Sequence, residues 1–317
     1  MTRISTFAHS QALLQQMLRS QQAVVDSEKQ VSSGKKADTI QGYARDANAL
    51  LSTRSLGDRI QSYIDSNKEL AGMLELQNNA LGEIAQIGDD LRTDLIESVN
   101  LNSGVGVAKK LEDHLARLID AVNTRYNGRY LFGGTRAESK PVTITDAAGL
   151  LGLATTGDAF SNSSVKPTQQ VDDDRTLTYG QLASDVAQPL MDVIRRVLQF
   201  ENGTLPSGAG AYAPAGSFQD PLTQNQHDFL VSEFSNALSA IDTARNAEAE
   251  NGVNMATLDR LSSRQGDDLT FVKGFAGQLE NVDTAEAISK LQQGQTALTA
   301  SLQVISRVNQ ISLLNFL

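Results

Sequence analysis

The two ends of this 317-residue chain carry matching apolar stripes. Near the start, Ile4, Phe7, Leu14, Leu18 and Val25 recur at helical spacing, and near the end Ile288, Leu291, Leu298, Leu302 and Ile305 do the same. A lone helix cannot bury so narrow a stripe; it needs a partner helix. Two such helices at opposite ends of one polypeptide predict that the ends pair with each other, with copies in neighbouring molecules, or both. That layout suits the subunit of a polymer better than an enzyme.

Composition points the same way. Aromatic residues make up 5% of the chain, with no Trp, no Cys and six Pro. Thin helix–helix seams need fewer large rings than a wide globular core does. The absence of Cys excludes disulfides, cysteine-based zinc sites and thiolate catalysis. A net charge of −10 opposes nucleic-acid binding, which needs a basic face. The opening residues lack the apolar core and cleavage site of a secretory signal, and no run reaches the length of a membrane-spanning helix. Export would therefore follow a route that cleaves no signal peptide, and no membrane insertion is expected.

The local pattern predicts helix over residues 1–33, closed by Ser32-Ser33-Gly34, then an irregular connector over 35–48. A second helix is expected over about 49–99, with the seam Leu70, Leu74, Leu81, Ile84, Leu91 and Leu95. Gln77 and Gly88 fall on that seam. Asn102-Ser103-Gly104 breaks it, and a third helix follows over about 105–125. Tyr126-Asn127-Gly128-Arg129-Tyr130-Leu131-Phe132 places aromatics round an Asn-Gly, a strong hairpin signal. Residues 137–226 lose the helical period and hold all six prolines. Short strands are expected at Val142-Thr143-Ile144 and Leu177-Thr178-Tyr179, and a short helix over Leu190–Phe200. Helix returns over 227–251, with a break expected at Asn251-Gly252, and resumes over 255–278. Asp283-Thr284 opens the last helix.

The expected fold class is mainly α. Long antiparallel, coiled-coil-like helical arms come from both termini, with a β-hairpin and a small inserted domain containing β structure. The expected divisions are a terminal helical core (1–48 and 280–317), a helical rod with the hairpin (49–136 and 227–279) and a variable surface domain (137–226).

Residues that could carry chemistry read more simply as structure. His9, His114 and His227 are far apart and form no metal-binding pair. Asp172-Asp173-Asp174 lacks the alternating spacing of a calcium loop and reads as a solvated turn. Gly133-Gly134 lacks the rest of a nucleotide-binding motif and reads as a turn. Arg125, Arg129 and Arg136 lie among aromatics and are expected to stack on them or to pair with acidic groups of a neighbouring subunit. No serine sits in a nucleophile elbow, no cofactor is implied, and an enzyme is not expected.

Several blocks resemble the bacterial flagellin superfamily. They are Arg3-Ile4-Ser5-Thr6, Val31-Ser32-Ser33-Gly34-Lys35, the hairpin Asn127-Gly128-Arg129-Tyr130-Leu131-Phe132-Gly133-Gly134-Thr135, and the ending Ser312-Leu313-Leu314-Asn315-Phe316-Leu317. The resemblance covers about the first 140 and the last 90 residues. Within the superfamily, the opening and the hairpin resemble the hook–filament junction branch more than filament flagellins. The connector after Gly34 also departs from the flagellin continuation of Asn-Ser-Ala and a double Asp.

The resemblance implies a non-enzymatic structural subunit that joins hook to filament. It would leave the cell unfolded through the flagellar type III system, held beforehand by an export chaperone. Its termini would be poorly ordered until they pack into the core of a helical tube, beside a neighbouring hook-associated protein and flagellin. The implied location is the extracellular flagellum. The assembly residues implied are the two stripes together with Leu313, Leu314, Phe316 and Leu317. The alternatives are the main filament subunit, a cytoplasmic helical signalling or adaptor protein, and an enzyme or glycan-binding module in 137–226.

Overall fold

A computed structural model describes residues 2–206, 212 and 215–314; for 2–10 and 308–314 only the helical backbone is described. The elements follow in chain order. Helix α1 spans Thr2–Ser33, a 3-10 turn covers Ile40–Asp46, α2 runs over Ala47–Leu101 and α3 over Val107–Val122. The two-residue strands β1 (Arg125–Tyr126) and β2 (Arg129–Tyr130) form a hairpin. Then come α4 (Ala147–Leu151), a 3-10 turn at Thr156–Ala159, and a second hairpin of β3 (Thr168–Asp172) and β4 (Arg175–Thr178). Helices α5 (Ala183–Glu201), α6 (Gln224–Glu280) and α7 (Thr284–Leu314) complete the chain. The described chain is mainly helical with two small antiparallel hairpins, as its periodicity predicts.

Two compact units result, and α2 and α6 each run through both. The central unit is Ser62–Gln265; the terminal unit combines the chain up to Gln61 with Gly266 onward.

In the central unit the expected α2 seam is the core. Leu74, Leu81, Ile84, Leu91 and Leu95 are fully buried, and Leu70 nearly so. No proline interrupts α2, and Ala, Leu, Glu and Gln give it high helix propensity. It ends where Asn102 takes a left-handed φ of 52°, a common way to close a helix. Gln77 fits the seam because its amide donates to the Leu131 carbonyl at 2.9 Å. Gly88 fits because a Cβ there would stand 2.6 Å from Ile241 Cγ1. In the first hairpin Asn127 and Gly128 have φ of 48° and 81°, the paired positive values a tight two-residue turn demands.

Three expectations are revised here. Helix α6 does not break at Asn251-Gly252. The Asn251 side chain is buried, and its amide donates to the Leu74 carbonyl at 2.9 Å, so tertiary packing uses the residue that local propensity would place in a turn. Helix α5 begins at Ala183 rather than Leu190 and carries Pro189 inside it. One lost backbone bond is offset by the buried face of Val186, Leu190, Ile194 and Val197. Val142-Thr143-Ile144 makes only an isolated bridge, Val142 with Phe160. Val142, Ile144, Leu150 and the buried face of α5 join one cluster with α2, α3 and α6. Phe200 of α5 stacks on Phe229 of α6 at 4.3 Å between ring centres.

A smaller cluster joins α2, β3 and α6 through Leu70, Leu74, Val171, Leu258 and Leu261. Beside it lies a buried amide pair. Asn67 donates to the Val171 carbonyl at 2.9 Å and to Gln265 Oε1 at 3.0 Å, and Gln265 donates to the same carbonyl at 2.9 Å.

In the terminal unit α1 and α7 pack against each other. Gly34, with φ 68°, closes α1, and Lys35 bridges Asn281 in antiparallel sense. The Val282 amide donates to the Gly34 carbonyl at 3.0 Å. Close by, Arg54 of α2 grips Glu280 of α6, with Nε donating to Oε1 at 2.6 Å. Lys35 stands 3.4 Å from the other oxygen. The Arg54 hydrogen bond is the largest influence on the Glu280 carboxyl and holds it below the usual glutamate range.

Candidate assembly surface

Burial along α1 repeats in steps of four and three. Leu13, Met17, Ser20, Val24, Ser27 and the adjacent Gln30 and Val31 are the covered or half-covered positions from residue 11 onward. Along α7 the matching set is Ala287, Leu291, Gly294, Leu298, Ser301 and Ile305. This is the heptad rhythm of paired helices. The helices come very close: a Cβ on Gly294 would lie 3.0 Å from Val24 Cγ2, so a larger residue would push them apart.

The predicted stripe residues divide between two faces. Leu291, Leu298 and Ile305 belong to the covered face of α7. Leu14, Leu18 and Val25 lie one residue beyond the covered face of α1, about 100° round the helix, and are exposed, Leu18 by 52%. Ile288 and Leu302 stand in the same relation to Ala287 and Ser301 on α7; Leu302 is 52% exposed, and Val304 adds to the outer apolar surface. Apolar doublets mark the arrangement: Leu13-Leu14, Met17-Leu18, Val24-Val25 and Val304-Ile305. One member serves the pair and the other faces outward. Ile4, Phe7, Leu313 and Leu314 have side chains outside the described residues, and Phe316 and Leu317 lie outside them entirely.

Sequence reasoning missed the covered face of α1, because Ser20 and Ser27 interrupt its apolar run; the doublets were the available signal. It also missed Phe271 and Phe275 on α6. These sit one turn apart, and Phe271 is 76% exposed. Large exposed rings of this kind mark contact surfaces.

The groups considered for chemistry are engaged structurally. His114 is buried with Nε2 2.7 Å from Asp94, and Lys110 donates to the same carboxylate at 2.8 Å. Burial pushes the Asp94 carboxyl up, but Lys110 and His114 together leave it below its ordinary value. His227 lies 3.3 Å from Asp228, and the side chain of His9 is outside the described residues. Asp172 pairs with Arg264, while Asp173-Asp174 form the turn between β3 and β4. Arg125 stacks over the Tyr130 ring at 4.3 Å. Among the described residues, no three His, Asp or Glu side chains gather to hold a metal ion, and no helix is long and apolar enough to cross a membrane.

Comparison with known proteins places the chain in a family. Residues 4–137 match the model of the bacterial flagellin N-terminal helical region, and residues 235–317 match that of the C-terminal helical region. Together these span more than half the chain. Among curated proteins none matches the chain. Solved structures with a similar fold include a candidate flagellar hook-associated protein of Vibrio parahaemolyticus, at 13% identity and TM-score 0.57, over 74% of this chain and 97% of that one. Another is FlgL of Bacillus cereus, at 14% identity and TM-score 0.53, over 72% of this chain and 99% of that one. The chain belongs to the bacterial flagellin family, whose members are non-enzymatic proteins that self-associate into flagellar structures outside the cell.

Proposed function

We propose that this protein is the subunit that joins the flagellar hook to the filament and that it assembles through its two-faced terminal helices. The observation that carries this reading is the outer stripe of Leu14, Leu18 and Val25, which stays exposed while the neighbouring face of α1 is used by α7. A second partner helix is what such a stripe requires. The hairpin and opening motifs favour the junction role over the filament itself, and the fold likeness to hook-associated proteins accords with it.

Energetics support assembly-coupled ordering of the arms. Val24 and Ala287 are the buried apolar side chains described in α1 and α7. Fixing some sixty residues into two helices costs backbone entropy that a thin seam of small and half-covered side chains offsets only in part. The helices' own hydrogen bonds narrow that gap without closing it. In the free protein the arms are therefore expected to be poorly ordered, and burial between subunits completes them. The same property suits export of an unfolded chain through the flagellar type III channel without a cleaved signal, with a chaperone covering the C-terminal stripe beforehand. The neighbours in the assembled structure would be another hook-associated protein and flagellin.

The test is deletion of the gene followed by electron microscopy of cells and medium. Hooks without filaments, with flagellin shed into the medium, are the expected result. Hooks that produce no flagellin would assign the chain to the filament instead, and normal flagella would overturn the junction role.

A further inference from the structure

A small polar recess of about 150 Å³ in the central unit is lined by Arg175 at the start of β4 and by Thr257, Arg260, Leu261 and Arg264 on α6. Three arginines from two elements line it, and no carboxylate does. Arg264 is paired with Asp172 at the edge. Arg260 spends its Nε on the Ala256 carbonyl of its own helix at 3.1 Å, which leaves its two terminal nitrogens for another partner. Neither Arg175 nor Arg260 makes an ion pair among the described residues. Asp173 and Asp174 precede Arg175 in the turn but do not line the recess. Leu261 in the lining is buried, and Thr257 carries a hydroxyl able to donate a hydrogen bond.

Like charges lining one recess repel, and among the described residues Asp172 is the carboxylate paired with this group, through Arg264. The concentration of arginines is notable in a protein with 37 acidic side chains against 27 basic ones. Guanidinium groups match the planar, two-oxygen geometry of a carboxylate. We propose that this recess is an oxyanion site and that, in the assembled state, its occupant is a carboxylate side chain of a second copy of this chain. The first part stands on the recess alone; the second rests on the self-assembly reading above. Charge complementarity supports it, since a copy carrying net −10 presents a surplus of carboxylates to its neighbours.

Two measurements test it. In the first, the full-length protein is titrated with sodium sulfate against sodium chloride at matched ionic strength, and arginine Nε–H resonances are followed by NMR. Saturable shifts at Arg175, Arg260 and Arg264 are expected, with sulfate affinity falling about ten-fold on removal of one charged partner in Arg260→Gln. Non-saturable shifts, or affinity unchanged in the Arg175→Gln/Arg260→Gln double variant with an unaltered melting curve, would overturn the site. In the second, the double variant replaces the wild type in cells and its incorporation into flagella is quantified. Reduced incorporation, partly restored by Arg260→Lys, is expected. Normal incorporation with sulfate binding lost would assign the recess to a free anion and remove the second copy. Absence of the wild type from flagella would instead sink the assembly reading, leaving the sulfate result to stand on its own.

Discussion

Two glycines on long helices show how differently one residue type can act. Gly252 sits in the unbroken stretch of α6 with open space where a Cβ would go, whereas Gly88 faces Ile241 and Leu190 across a closed seam. Ala in a helix gains about 1 kcal/mol over Gly. Gly252→Ala is therefore expected to raise the unfolding free energy by about that much in a urea titration. At Gly88 the same gain is opposed by an overpacking cost of about 1–3 kcal/mol, so Gly88→Ala should leave stability unchanged or lower it. Equal gains at both positions would refute the packing account. The Asn-Gly turn and the Gln77 and Gly88 interruptions were visible in the sequence, since local rules or a broken period flag them. The role of Asn251 was not. Its bond to the Leu74 carbonyl depends on a residue 177 positions away, which no local pattern encodes.

At the scale of elements, α1 is one helix with two duties. Leu18→Asp acts on its outer face, so the fold of the free protein should change by less than about 0.5 kcal/mol while incorporation into flagella falls sharply. Val24→Asp strikes the covered face and should disrupt the α1–α7 pair itself, visible as lost helical circular dichroism in whatever assembly forms. If the two variants behaved alike, the two-faced reading would fail. The junction of α2 and α6 predicts a pH response. Because Arg54 depresses the Glu280 carboxyl, that pair contributes fully above about pH 4.3, the ordinary glutamate value, and its contribution disappears as pH falls through the lower folded value. Glu280→Gln should flatten the acid limb of the unfolding curve in this window. The stripes were legible as stripes, but their division into faces was not. A single sequence shows which residues are apolar, and only the partner's position selects the face.

For the whole molecule, the division into a central and a terminal unit makes a direct prediction. Removing residues 1–33 and 283–317 should leave a chain that unfolds in one cooperative transition yet fails to enter flagella, as read by calorimetry and by immunogold labelling. An unfolded truncate would contradict the separate core of the central unit. Helical content and the antiparallel pairing of the ends could be read in advance. The inclusion of α5 in the common core could not, because the apolar face by which it reaches that core is hidden among Gly-, Ser- and Pro-rich segments.

The buried Asn67–Gln265 pair has a mechanical consequence. A seam of repeating leucines is nearly self-similar every seven residues, so under shear one helix could slide about 10 Å past the other and regain most of its packing. Amides do not repeat in this way. After such a slip Asn67, Gln265 and the Val171 carbonyl would be parted in a dry environment, at a cost of about 1–3 kcal/mol for each polar group left unmade. The pair acts as a detent, allowing α2 and α6 one length and one phase. A part of a rotating appendage has use for that property, because torque passed through it would be resisted by positions that cannot be exchanged for their neighbours.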